Sequence, residues 1–300
     1  MIAVLGMAAV SVGLKIVIPI AKQQTAIVVI RRAGGGIETQ PCLPDWLRSL
    51  AASAHLPDFE TVCGVSIARP TATDDVLSQL SALSHLQRLF LAHSAITDAG
   101  LVNLESFPQL EYIDVSDTSV TSRGILQLKG LVNLQSILLR STRVSDPGLE
   151  NLKGLAELRS LDLDDTLVTD AGLIHLAGLR KMESLALGHT AVTDAGLLHL
   201  REMVCLRELE LDGTRISDDG LRQLAALPEL RTLKLSHTMV TDEGLEYVAK
   251  IPSLQVLHVV GCNVSHARIV ALRQSVSGLI VVKSAERQPN SQSELRQWHP

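Results

Sequence analysis

Aromatic residues and positive charge are both scarce in this sequence of 300 residues. Phe, Trp and Tyr together make up 2% of the chain, and the formal net charge is -5. A nucleic-acid-binding surface usually needs a basic patch and aromatic rings on which bases stack. The composition therefore argues against a nucleic-acid partner.

Cysteine is also rare, and the four cysteines form no CxxC pair and no spacing typical of metal ligands: Cys42, Cys63, Cys205 and Cys262. Neither a zinc site nor a disulfide framework is predicted, and the redox compartment stays open. The sequence also lacks a nucleophile elbow, a phosphate-binding loop and a metal-binding motif. We therefore expect a protein that is not an enzyme and needs no cofactor.

Residues 1–21 form an apolar segment of about the length that crosses a bilayer. No basic residue precedes this run and no small-residue cleavage site stands before Lys22, so a cleaved signal peptide is not indicated. Lys15 would be costly inside a bilayer unless its ammonium reached the interface. A membrane anchor and an amphipathic cap helix both fit. An anchor would place the following chain in the cytoplasm, since Arg31 and Arg32 come after it.

Apolar residues recur with a period of 24 through most of the chain, in about nine repeats that begin at residue 62. One column of this pattern contains Leu86, Leu110, Leu134, Leu158, Met182, Leu206, Leu230 and Leu254. In LRSLDLDDT (158–166) the alternation predicts a short strand with one buried face, and the leucine spacing of GLIHLAGL (172–179) predicts a helix. A repeated strand and helix predict a curved α/β solenoid.

The stretch VTDAGL (168–173) joins strand to helix and matches a helix N-terminus. Thr169 fits the N-cap, Asp170 the first helical position, and Val168 with Leu173 a hydrophobic staple. The aspartate column is therefore interpreted as structural and not catalytic: Asp98, Asp146, Asp170, Asp194, Asp218 and Asp242, with Ser122 as the exception. Gly172 and its equivalents are expected to allow close packing or an unusual backbone.

A threonine column follows the strands: Thr118, Thr142, Thr166, Thr190, Thr214 and Thr238. Its hydroxyls are expected to hydrogen-bond loop backbone that would otherwise be buried without a partner. This column too is interpreted as structural.

These repeats resemble those of leucine-rich repeat proteins of the ribonuclease-inhibitor-like subtype over residues 62–277. Together with RRAGGGIE (31–38) and LPDWLRSL (43–50), the chain is similar to leucine-rich repeat proteins of planctomycete bacteria. The resemblance implies a right-handed horseshoe solenoid with a parallel concave sheet, outer helices and protein binding.

Four segments follow from this organisation. Residues 1–21 are the apolar segment, 22–61 an N-terminal cap, 62–282 the repeats and 283–300 a polar, disordered tail. Trp46 and Leu47 are assigned to the core of the cap, because the first repeat needs its apolar face covered.

The residues that flank the buried strand leucines are expected to form the binding surface. The predicted partner-binding residues are Arg88, Phe90, Tyr112, Asp114, Arg140, Asp162, Asp164, Asp165, Glu208, Glu210, Asp212 and Lys234. Acids outnumber bases, so we expect a protein or peptide partner that is basic. A structural cell-envelope protein, and an inhibitor of an enzyme with a basic active site, are the alternatives. Charge on this face can also serve solubility alone.

The first residues of this set have the composition of a binding hot spot, since Arg88, Phe90 and Tyr112 lie on neighbouring repeats with His93 nearby. Two other arrangements stay open. Tyr112 can stack on Arg88, and the N-terminal cap can cover Phe90.

The acidic residues do not favour a metal site or a catalytic site. A calcium ion held by Asp162, Asp164 and Asp165 lacks a glycine-containing loop to wrap it. Carboxylates of the fifth and seventh repeats, about 10 Å apart, are near the wide limit for an inverting glycosidase, but an open sheet provides no deep pocket.

A histidine column also follows the strands. His93, His189 and His237 lie too far apart to share a metal ion. Ladder pairs of His93 with Asp117 and of Asp165 with His189 are predicted instead.

Overall fold

The computed structural model describes residues 23–41 and 60–283. These residues form one sheet of eleven strands whose spatial order equals their order in the chain. β1 and β2 are antiparallel, and the later neighbours pair in parallel with a register that advances by one repeat, as in Leu161 opposite Leu185. The predicted solenoid with a parallel sheet and outer helices is confirmed.

The strands are β1 (Gly36–Pro41), β2 (Glu60–Ser66), β3 (Arg88–Phe90), β4 (Tyr112–Asp114), β5 (Ser136–Leu138), β6 (Ser160–Asp162), β7 (Ser184–Ala186), β8 (Glu208–Glu210), β9 (Thr232–Lys234), β10 (Val256–His258) and β11 (Ile280–Val282). From β3 to β10 the middle residue of each strand is buried and its two neighbours are partly exposed.

The α-helices are Asp74–Gln79, Asp98–Leu101, Ser122–Ile125, Asp146–Leu149, Asp170–Leu173, Asp218–Leu224, Leu245–Val248 and His266–Ser275, and residues 23–32 are also helical. The 3-10 helices are Val102–Ser106, Leu126–Leu128, Glu150–Leu152 and Gly196–Leu200. Within residues 23–41 and 60–283, no helix has the length and apolar character to span a membrane. The apolar segment 1–21, Trp46, Leu47 and the tail from residue 284 onward lie outside the described residues.

The predicted helix over 172–179 is shorter than expected. The α-helix ends at Leu173, and the chain continues through turns. The N–H groups of Leu176 and Leu179 donate to carbonyls three residues earlier, at 3.0 and 2.9 Å. Buried Leu173, Leu176, Leu179 and Met182 therefore follow a period of three, which is that of a 3-10 helix. This coil rises about 2.0 Å per residue against about 1.5 Å in an α-helix, so fewer residues lead back to the next strand.

The predicted helix caps are confirmed. The aspartates, in addition, hydrogen-bond to the cap residue of the next repeat. Thr169 is an N-cap whose hydroxyl accepts from the Ala171 N–H at 3.3 Å. The carboxylate of Asp146, one repeat earlier, accepts from the Thr169 N–H and from the Thr169 hydroxyl, both at 2.7 Å. The same pair of contacts joins Asp74, Asp98, Asp170, Asp194 and Asp218 to the cap residue of the next repeat. We call this series the aspartate ladder.

The glycine of each cap makes room for this ladder. A Cβ on Gly172 would lie 2.6 Å from Oδ1 of Asp146. Of the two expected reasons for the glycine, close packing is therefore the one that applies. Where Ser122 replaces aspartate, its hydroxyl contacts the Ser145 N–H at 3.0 Å and the Ser145 hydroxyl at 3.0 Å, so this step lacks a carboxylate.

The threonine column is structural, as predicted. Each hydroxyl donates to the carbonyl three residues earlier at 2.6 Å, as Thr190 does to Leu187. Cys262 continues this column after the last threonine, and its thiol approaches the Leu235 carbonyl.

Candidate functional site on the concave face

The outward-facing residues of the strands form a grid on the concave side of the sheet. Neighbouring strands are about 4.8 Å apart, and the two outward residues of one strand are about 7 Å apart. The grid holds the predicted residues Arg88, Phe90, Tyr112, Asp114, Asp162, Glu208, Glu210 and Lys234. Arg140, Asp164, Asp165 and Asp212 follow their strands in loops. The predicted set is thus divided between a sheet face and its adjoining loop edge.

An aromatic pair lies at the N-terminal end of this grid. The ring centroids of Phe90 and Tyr112 are 4.6 Å apart with the rings tilted by 39°. Arg88 does not stack on Tyr112 but forms an ion pair with Glu38 of β1, with 2.7 Å from Nε to Oε2. Burial raises the pKa of Tyr112, and the nearby carboxylates of Asp114 and Asp162 raise it further. The tyrosine is therefore a neutral ring beside two acids.

Glu38 is a site residue that the repeat pattern could not reveal, because β1 lies outside the repeats. It pairs in register with Gly64 of β2, and a side chain on Gly64 would collide with the Glu38 carboxylate. Glycine in an otherwise apolar strand was the available signal, since it often marks a close approach of another group.

Two carboxylates in the middle of the grid form no ion pair with any residue that the structure describes. Asp114 and Asp162 each accept a backbone N–H two residues later, from Ser116 and Asp164, at 2.9 Å. No salt bridge joins either aspartate to another residue in the described part of the chain. Burial raises the pKa of Asp162, and Glu210 and Asp114 add to this effect through repulsion, whereas the Asp164 N–H and the charge of Arg140 oppose it. The acids of alternate strands therefore repel one another across the sheet.

The expectation that Asp164 is an accessible contact residue is wrong, because this side chain is buried, with 3% of its surface exposed. It accepts the Gly188 N–H at 2.6 Å and lies 3.2 Å from Arg140. Burial raises its pKa to about 7, repulsion from Glu210 and Asp162 contributes, and the Gly188 N–H and Arg140 oppose the shift. Gly188 has no side chain, so the carboxylate can turn toward the next repeat. Small residues elsewhere in this column, Ser116, Gly188 and Ser236, were the sequence signal.

The loop edge beyond the strands has a left-handed backbone at one position in each turn, with φ between 54° and 59° at His93, Asp117, Ser141, Asp165, His189 and His237. The predicted pair of His93 and Asp117 is present at 3.3 Å. Between Asp165 and His189 no ion pair occurs among the described residues. Asp165 contacts Arg140 at 3.4 Å, and the His189 ring packs over Gly213.

A charged cluster ends the grid on its C-terminal side. The Lys234 ammonium lies 3.0 Å from Glu208 and 2.7 Å from Glu210. Burial lowers the pKa of Lys234, but attraction to these two glutamates outweighs it and the net shift is upward. His258, absent from the predicted set, joins this cluster. Its pKa is lowered by burial and by Lys234, against the attraction of Asp212 and the glutamates.

The chemistry of this face is acidic. The predicted set contains seven carboxylates and three basic side chains. No group of three or more His, Cys, Asp or Glu residues within residues 23–41 and 60–283 is arranged to hold a metal ion, which includes the calcium alternative at Asp162, Asp164 and Asp165. The geometry offers contact area and negative potential.

Comparisons with known proteins agree with this fold. A family model described as Leucine Rich repeat matches residues 82–104, 203–225 and 227–249. No curated protein sequence matches the chain. The crystal structure of internalin C2 from Listeria monocytogenes str. 4b F2365 is similar with a TM-score of 0.51 and 22% sequence identity, over 79% of this chain and 91% of that chain. An internalin F structure from the same strain gives a TM-score of 0.36 and 16% identity, over 81% and 95% of the two chains. The repeats, the sheet and the similarity to the internalin C2 structure show that the chain has the leucine-rich repeat solenoid fold.

Proposed function

We propose that this protein is a non-catalytic scaffold that binds a protein or peptide partner on its concave face. One observation carries the proposal. The outward residues of β3 to β10 form a continuous, half-exposed grid with an excess of acid, and the aspartate ladder, interrupted at Ser122, joins the repeats behind it. A preformed surface loses little conformational freedom on binding, which favours affinity.

Site-specific photo-cross-linking tests this proposal in the full chain, expressed in its source cells. A benzoylphenylalanine at Ser160, in the middle of the grid, should yield a covalent partner adduct. The matched control replaces Leu126, which is 53% exposed on the opposite side of the repeats. Adducts at both positions, or at neither, would contradict a binding site on the concave face. They would favour the structural envelope alternative.

An inhibitor of an enzyme with a basic active site is the second candidate, because the same acid excess supports it. The two candidates differ in what the adduct contains. An enzyme whose activity is lost in the complex would favour inhibition, and a partner without such activity would favour a scaffold.

Residues 1–21 are proposed to tether the protein to a membrane, with the repeats in the cytoplasm. The apolar sequence supports this assignment. The full chain should resist carbonate extraction from membranes, whereas a chain without residues 1–21 should be released. The ribonuclease-inhibitor-like subtype and the resemblance to planctomycete proteins are likewise proposals, supported by the repeated Thr-Asp-x-Gly-Leu sequence.

A further inference from the structure

The concave grid contains an internal example of the ligand chemistry that it favours. The ammonium of Lys234 lies between the carboxylates of Glu208 and Glu210, and all three side chains are more than half buried. The two acids of β8 thus hold a primary amine that another strand, β9, supplies. This face can therefore accommodate a cation that does not come from the strand of the acids. Lys234 thereby occupies the C-terminal part of the grid itself.

The middle of the grid also carries two acids, but no cation is in contact with them within the described part of the chain. The nearby Arg140 lowers the pKa of Asp162 through its charge, yet its guanidinium contacts Asp164 and Asp165 instead. Asp114 on β4 and Asp162 on β6 form no salt bridge within the described part of the chain, and Leu138 of β5 stands between them. Two strand spacings separate the aspartates, which is about 9.6 Å. Their repulsion is the part of the site that a partner could relieve, because each added cation would favour the charged carboxylate.

The sheet surface beside these acids, here called the floor, carries short and polar side chains. Ser136, Ser160 and Ser184 occupy the other outward column on three successive strands, between Tyr112 and Glu208. Their hydroxyls form no hydrogen bond with any described residue, so they can accept or donate to a backbone laid over them. Tyr112 closes one end of this floor with its ring, and an aromatic face next to an acid suits a guanidinium or ammonium group.

The spacing of the acids selects a backbone conformation. A polyproline II segment rises about 3.1 Å per residue with three residues per turn, so side chains three residues apart point the same way about 9.3 Å apart. In a β-strand, side chains on one face are about 7 Å apart at two-residue spacing, which does not match two strand spacings. We propose that the partner presents an extended, polyproline-II-like basic segment that crosses β4 to β6, with two Lys or Arg residues three apart seated at Asp114 and Asp162.

This inference rests on the proposed function, and its test uses defined peptides and the full chain. Fluorescein-labelled Arg-Pro-Pro-Arg-Pro-Pro has the required spacing, and Arg-Arg-Pro-Pro-Pro-Pro has the same composition without it. Fluorescence anisotropy at low salt should give a Kd at least tenfold lower for the first peptide. Equal affinities would overturn the inference, because they would show attraction by charge alone.

A pair of variants tests the two acids. Asp114→Asn with Asp162→Asn keeps an oxygen that can accept the backbone N–H groups, so the fold should persist by circular dichroism. It should weaken binding of the spaced peptide by about tenfold to hundredfold, for two charge-assisted contacts. The matched control, Glu105→Gln with Glu243→Gln, removes two exposed charges outside the sheet and should leave affinity within about twofold. Equal loss in both variants would also overturn the inference.

The two proposals can fail separately. A partner adduct at Ser160 with no preference for the spaced peptide would leave the concave scaffold in place and remove the basic segment. Peptide binding that depends on Asp114 and Asp162, with no adduct in cells, would support the basic-segment chemistry and count against the scaffold's cellular role.

Discussion

The contact between Asp146 and Gly172 can be tested by a double-mutant cycle. Asp146→Ala removes two hydrogen bonds to Thr169, each worth about 1.5–3 kcal/mol for a charged acceptor. Because water can replace part of these hydrogen bonds, we expect Asp146→Ala to lower the free energy of unfolding by about 3 kcal/mol. Gly172→Ala alone places a Cβ 2.6 Å from Asp146 Oδ1 and should cost about 1 kcal/mol after the gain in helix propensity.

In the Asp146→Ala background the oxygen at 2.6 Å is absent, while Leu149 Cδ1 remains 3.0 Å from the new methyl group, so Gly172→Ala should become about neutral. The coupling energy should then be about 1 kcal/mol, measured by urea unfolding followed by circular dichroism. Gly178→Ala is the matched control in the same repeat, since nothing lies within 4 Å of the position that its new methyl group would take. Additive effects of the two substitutions would refute the claim that the glycine exists to admit the aspartate.

Three further changes test other parts of the fold. Ser122→Asp should supply the missing carboxylate to Ser145 and raise the free energy of unfolding by about 1–2 kcal/mol in urea titrations, whereas an unchanged midpoint would contradict the ladder. Thr190→Val should leave the Leu187 carbonyl without its donor and cost about 1–3 kcal/mol, with Thr190→Ser near wild type; equal losses would argue against the hydrogen bond. For Asp164 the pKa is about 7 in the folded state against 3.8 when unperturbed. The folded protein therefore binds more protons than the unfolded chain between these values, and stability from this group should fall by about 2–4 kcal/mol as pH rises from 4 to 7. Asp164→Asn should flatten that fall, and an unchanged pH profile would show that the carboxyl is not the cause.

The fold could be predicted because each repeat contains the same local sequence signals. Alternating leucines predict the strand, and Thr-Asp before a leucine predicts the helix start. The leucine spacing predicts too long an α-helix because leucines three apart satisfy both α-helical and 3-10 spacing over a short stretch. Strict three-residue spacing from Leu173 to Met182, with no four-residue step, is the feature that separates the two.

The site was harder to predict because exposure depends on contacts between repeats. Asp164 and Asp162 look equivalent in sequence, yet the first is buried against Gly188 and the second remains on the sheet face. Glu38 reaches Arg88 from a strand with no place in the repeat. A one-repeat pattern specifies which positions point outward, whereas the neighbour's side chain decides which of them water can reach.

The aspartate ladder connects the fold to the surface that a partner would contact. Each carboxylate holds both the N–H and the hydroxyl of the next cap, so it constrains how neighbouring repeats are placed. The strands behind Asp114 and Asp162 keep the spacing set by backbone hydrogen bonds, and these side chains are held further by the Ser116 and Asp164 N–H groups. Repulsion between such acids would normally be relieved by movement. Here the strand spacing limits that movement, and Arg140 offsets the effect at Asp162 only in part, so a cationic partner could relieve the repulsion further.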